Sequence, residues 1–318
     1  MAEIGKDIAR AKELLEQGEL VAIPTETVYG LAGNALDLNA ILKIFKVKNR
    51  PHFDPLIVHV GSLDQARDLV ESIPAKAEKL AQLFWPGPLT LLLKRKSVIP
   101  DLITSGMDTV GIRCPDHQLT QSLLQSLAFP LAAPSANPFG YVSPTSAAHV
   151  NDQLGPQLDY ILDGGECRVG LESTIIGFEN DKPIIYRLGG FSVELIEKTI
   201  GSVSIQLNTS SNPKAPGQLK SHYSPSKKVV IGNLTELVKE HASKKFGIIA
   251  FSERIEGIAS DQQRVLSPNG SLDEAAQHLF AALRELDKRK IEIILAEPVP
   301  DIGIGKAIND RLNRASAE

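Results

Sequence analysis

The sequence has 318 residues, 42% of them hydrophobic, and a formal net charge of -4. That length predicts a large domain plus a small one, and the apolar content excludes wholesale disorder. The negative balance argues against a nonspecific nucleic-acid binder, while leaving room for a local basic pocket. No apolar run approaches the ~18 residues of a membrane span. Residues 1–10 lack the basic head and apolar stretch of a signal peptide. Cys114 and Cys167 are isolated and predict no disulfide, as expected for a protein of the reducing cytoplasm.

In chain order, 9–17 reads as an amphipathic helix ended by Gly18. Residues 20–23 read as a buried strand, 41–45 as helical and 56–60 as a strand. The strand pattern recurs at 89–93, 110–114, 131–133, 160–162 and 175–178, so the fold class is α/β with a mixed sheet flanked by helices. Ser143 followed by Pro144 predicts a helix start. After Leu207 the segment 208–226 is rich in Ser, Pro, Asn and Lys and predicts a linker. Strands at 228–231, 246–251 and 291–296 follow, with a capping box at Ser271 to Glu274 opening a helix through Lys288, and another helix at 304–315. Residues 227–318 are thus a small parallel α/β, Rossmann-like domain of fewer than about 100 residues, and residues 1–207 the large one.

Five segments are dense in chemistry-bearing residues. Pro24-Thr25-Glu26-Thr27-Val28-Tyr29-Gly30-Leu31 follows a strand and suits a small polar ligand, although the same residues make an ordinary turn and spacing alone favours the turn. Lys46-Val47-Lys48-Asn49-Arg50 puts three cations at a helix end. That is a phosphate clamp, charge matched to the helix dipole, or a solvated face, and Arg50 is expected at the surface. Arg113 closes the strand pattern of Thr109-Val110-Gly111-Ile112 and needs a partner, either a substrate carboxylate or a structural acid. Ala133-Pro134-Ser135-Ala136-Asn137 is small enough for close backbone approach, or is a tight loop. Asp163-Gly164-Gly165 through Gly170-Leu171-Glu172-Ser173-Thr174 is an anion cradle or a hairpin. There is no GxxxxGK[ST] loop, no early GxGxxG and no GxSxG elbow, and the seven histidines do not cluster with metal-ligand spacing.

Taken in order, these segments resemble the threonylcarbamoyl-AMP synthase family in its two-domain form, with a YrdC-like catalytic domain. Trp85-Pro86-Gly87-Pro88-Leu89-Thr90, Arg187-Leu188-Gly189 and the linker pieces Ala215-Pro216-Gly217 and His222-Tyr223-Ser224-Pro225 extend the match, as does Asn309-Asp310-Arg311-Leu312 in the tail. The resemblance implies a YrdC-like twisted mixed sheet. It also implies synthesis of threonylcarbamoyl-AMP and pyrophosphate from ATP, L-threonine and bicarbonate, for transfer to tRNA by a downstream tRNA threonylcarbamoyl transferase complex, with tRNA contact conceivable and no membrane. Thr27, His59, Arg113, Ala133, Ser135 and Ser173 would bind threonine. Lys48, Arg50, Asp54, Thr109, Ser135, Ser143, Arg187 and Tyr223 would face the nucleotide. Lys48, Arg50 and Arg113 would carry catalysis, Mg2+ would ride on the ATP phosphates, and Tyr223 would belong to a lid formed by 208–226. The sequence departs from the family pattern at Asp54 and Leu188. Two other readings compete: a non-catalytic tRNA or double-stranded RNA module, disfavoured by the net charge, and a carbamoyltransferase of the same fold, which would need zinc-finger spacing absent from this chain.

Overall fold

The computed structural model describes residues 1–207, 216 and 223–317. The strands are β1 (Glu3–Gly5), β2 (Val21–Ile23), β3 (Gly30–Asn34), β4 (Ile57–His59), β5 (Leu89–Lys94) and β6 (Thr109–Arg113). Next come β7 (Leu131–Ala132), β8 (Tyr160–Leu162), β9 (Thr174–Glu179), β10 (Lys182–Arg187) and β11 (Ser204–Ile205). They form one sheet in the order β1-β8-β2-β3-β7-β4-β6-β5-β9-β10-β11, with parallel and antiparallel neighbours mixed. Val21-Ala22-Ile23 and Ile57-Val58-His59 are buried throughout, as strands covered on both faces require. β3 escapes the sequence pattern because it is built from Gly30-Leu31-Ala32-Gly33-Asn34. A Cβ on Gly33 would stand 2.8 Å from Leu20 Cδ2, so packing against β2's flank demands the glycine.

Helix Ile8–Glu16 starts at Asp7, whose Oδ1 accepts from Ala9 N at 2.8 Å, and the chain turns away at Gly18 with φ 75°. Helix Leu38–Lys48 starts at Asp37 and ends on left-handed Asn49, φ 50°. The helix expected at Ser143-Pro144 begins later, at Ala147, with Ser146 as its cap accepting from His149 N. Tertiary bonds claim the earlier residues: Pro144 O accepts from Tyr29 N at 2.9 Å, and Ser143 is wholly buried.

The second sheet holds β12 (Lys228–Ile231), β13 (Phe246–Ala250), β14 (Gln263–Val265) and β15 (Ile293–Ala296), all parallel, in the order β12-β15-β13-β14. Only half of the expected capping box forms: Ser271 Oγ accepts from Glu274 N, while the Glu274 carboxylate accepts from Ser267 Oγ instead. Helices Leu272–Asp287 and Gly305–Ser316 dock this unit on the large one. Arg284, buried, donates to Ser143 O at 3.1 Å, to Val142 O and to Gln153 Oε1. Gly170, φ 77°, lets Leu272–Asp287 approach, since a Cβ there would sit 2.4 Å from Gln277 Cα. The expected linker 208–226 falls between the two sheets; Ala215, Gly217 and His222 lie outside the described residues. Among the described residues, no helix is long and apolar enough to cross a membrane.

One register prepares the site. His59 of β4 pairs with Arg113 of β6, Arg113 with Thr90 of β5, Thr90 with Ile175 of β9, and Ile175 with Arg187 of β10. At ~4.8 Å per strand, this row spreads His59 and Arg187 about 19 Å apart on one line across the sheet. The register of β10 slips between Ile185 and Arg187, a bulge that re-aims the arginine.

Candidate active site

A cavity opens over that row. Its walls include Arg50, His59, Arg113, Ala133, Ser135, Ser173, Arg187 and Tyr223. Cations from a helix end, from β6 and from β10 therefore meet at one place, although they are far apart in the chain.

Arg113 carries a structural partner and keeps capacity for another. Its Nη2 lies 2.7 Å from Glu26 Oε2, both side chains being buried. Its Nε has no hydrogen-bond partner among the described residues. His59 beside it is held neutral: burial, then the nearby Arg113 charge, push its pKa down to about 3. Its Nδ1 is likewise unpartnered. A planar fork with an unfilled donor beside a neutral imidazole suits a small anion such as a carboxylate.

Arg187 donates from Nε to Ser173 O and from Nη2 to Ser173 Oγ, both at 3.0 Å, and from Nη1 to Pro216 O at 3.2 Å. The Ser173 hydroxyl is also 2.7 Å from Thr90 Oγ1. Arg50 is 7% exposed, not a surface residue. Its fork is wrapped by its own loop, donating to Asp54 O at 3.0 Å and Pro55 O at 2.7 Å, with Nη2 2.9 Å from Asp54 Oδ2. Asp54 is thus a counter-ion for Arg50 rather than a repeller of incoming phosphate. Burial raises its pKa while Arg50 and Lys48 lower it.

Several expected site residues stand behind the wall. The Lys48 ammonium is clasped by Ser135 O and Asn137 O, and burial, then the Arg50 charge, push its pKa well down. The Thr27 hydroxyl closes its own loop on Thr25 Oγ1 at 2.8 Å. Ser143 Oγ donates to Glu172 Oε1 at 2.5 Å. Thr109 begins β6 while Arg113 ends it, so the two lie about 13 Å apart along the strand. Thr109 lines a second groove with Lys94, Asp108 and Tyr186.

A Sua5/YciO/YrdC family model, described as "Telomere recombination", matches residues 13–189. A second, "Threonylcarbamoyl-AMP synthase, C-terminal domain", matches residues 191–317. The threonylcarbamoyl-AMP synthase of Pyrococcus abyssi is 41% identical over 321 residues, covering 96% of this chain and 93% of the relative.

The chain belongs to the threonylcarbamoyl-AMP synthase family.

A Bacillus subtilis member is 38% identical, covering 97% of this chain and 92% of its own. The crystal structure of P. abyssi Sua5 complexed with L-threonine superposes with TM-score 0.92 at 40% identity, covering 99% of this chain and 97% of that one. Membership makes the segment order meaningful, but it does not reveal the partners found here. Glu26 stands inside the Pro24–Leu31 motif, where nothing in the string marks it as the counter-ion of Arg113. Glu172 suggests by sequence only part of a backbone cradle, yet it lines the cavity and its carboxylate is held by Ser143 and Arg311. Val28, Pro55 and Ile57, also in the wall, offered only an apolar signal that any core residue gives.

Proposed function

We propose that the chain is an L-threonylcarbamoyladenylate synthase, joining L-threonine, bicarbonate and ATP into threonylcarbamoyl-AMP with release of pyrophosphate. One observation carries the reading: Arg50, Arg113 and Arg187 share a cavity with a neutral histidine and two serines. Arg113, already half engaged by Glu26, takes the threonine carboxylate on its unfilled donor. Ala133 and Ser135 close around the side chain, with Thr27 bracing the loop behind. The threonine amine attacks the carbon of bicarbonate, whose hydroxyl leaves as water with an amine proton, and the resulting N-carboxylate attacks the α-phosphate of ATP while pyrophosphate leaves. No covalent enzyme intermediate is needed, so catalysis rests on positioning and on neutralising phosphate charge. Arg50 and Arg187 supply that charge. Lys48 serves first by fixing Ser135 and Asn137.

Magnesium fits this site as a passenger of the triphosphate. Among the described residues no group of three acidic, histidine or cysteine side chains could hold a metal. The nearby carboxylates Glu26, Asp54 and Glu172 are each engaged by an arginine. Bound to ATP, the ion would supply charge neutralisation.

Pro216 and Tyr223, both inside the expected linker 208–226, line the cavity, which supports a lid that keeps water from a fragile adenylate. The product would pass to a tRNA threonylcarbamoyl transferase complex, and the work would be cytoplasmic. Mass spectrometry after incubation with ATP, threonine and bicarbonate tests the reading. Threonylcarbamoyl-AMP with equimolar pyrophosphate is expected; pyrophosphate release indifferent to threonine would defeat it.

A further inference from the structure

We propose that Arg311, contributed by the second unit, is a positioning residue for the cavity: it keeps Glu172 from capturing Arg187 and fixes Tyr223 in the wall. The inference rests on reading the cavity as a nucleotide and threonine site. Arg311 lies on helix Gly305–Ser316 and has no exposed surface. Its Nε donates to Glu172 Oε2 at 2.9 Å and its Nη2 to Leu188 O at 2.7 Å. Its guanidinium carbon stands 4.8 Å from the centre of the Tyr223 ring, which also stacks on Phe280 at 5.6 Å. Tyr223 has φ 63°, a conformation costly for a bulky residue unless its surroundings enforce it. Two side chains of the second unit thus grip a residue of the cavity wall.

Glu172 is the more consequential partner. Ser143 occupies one of its oxygens and Arg311 the other. The carboxylate shares the wall with Arg187 and lies close enough to influence its charge. A buried carboxylate stripped of its cation is strongly unfavourable and draws on any cation within reach. Without Arg311, Glu172 would recruit Arg187, which would leave Ser173 and cease to face the nucleotide.

The test uses the full chain, measuring threonine-dependent pyrophosphate release with ATP varied, and ATP binding by calorimetry. Arg311→Met is expected to raise KM and Kd for ATP about ten-fold, as a displaced Arg187 binds the nucleotide less well. Adding Glu172→Gln to that variant is expected to bring both back to within about three-fold of the parent, because an amide does not compete for Arg187. A purely structural arginine would instead lower the folded fraction at constant KM, and the second substitution would only add damage. Parental KM and Kd in Arg311→Met, or a double variant no better than the single, overturns the proposal. If Arg311→Met does not fold, Arg311→Lys with and without Glu172→Gln decides it. Lysine keeps one bond to Glu172 and loses the Leu188 contact, so a smaller rise, relieved by Glu172→Gln, is expected; an unchanged KM refutes the idea. A parent chain that releases no pyrophosphate with threonine would sink the functional reading, while ATP binding across the variants would still judge Arg311.

Discussion

At the residue scale the site is built from charges that hold one another in place. Arg50, read from sequence as a removable surface cation, is buried against Asp54, so Arg50→Ala leaves a buried carboxylate without its cation. Loss of adenylate formation should therefore be accompanied by about 3 kcal/mol of destabilisation in urea titrations. His59 gives a pH signature. Its folded pKa of about 3 lies below the usual value near 6.5, so the unfolded chain binds a proton that the folded chain refuses. The stability this contributes is complete above about pH 6.5 and is lost as pH falls toward 3. His59→Gln should flatten stability against pH by about 1.4 kcal/mol per unit near pH 5, measured as the difference between the two chains' unfolding free energies. His149, lowered to about 4 by burial, would leave a residual slope of the same sign.

At the element scale the strands do what the motifs could not do alone. Hydrophobic runs made β2, β5 and β15 visible in the sequence, with ends shifted by a residue or two. β1, β3, β10, β11 and β14 were not seen, being short, glycine-bearing or interrupted by polar residues whose strand character comes from neighbours. Register is the deeper gap. Nothing in the string tells that His59, Arg113, Thr90, Ile175 and Arg187 fall into one row, because pairing of distant strands is a property of the folded sheet. Resemblance implies the site residues without that geometry: Thr109 for the nucleotide and Arg113 for threonine stand at opposite ends of one strand.

At the scale of the whole molecule the two units are joined by buried arginines rather than by apolar contact alone. The composition change after Leu207 announced a second unit. Its docking was illegible, since Arg284 and Arg311 look in sequence like ordinary helix-surface residues on polar faces. Arg284→Ala would strip donors from Ser143 O and Val142 O and should cost about 2–3 kcal/mol. Calorimetry should then show the single unfolding transition broadening or splitting as the units part.

Lys48, clasped by two carbonyls and 1% exposed, offers a clock for the same molecule. An acylating reagent that marks the free amines of outlying lysines would pass this one by, for its nitrogen is both hidden and occupied. The rate at which its peptide slowly acquires the tag, followed by mass spectrometry, would time how often the loop bearing Ser135 and Asn137 lets go.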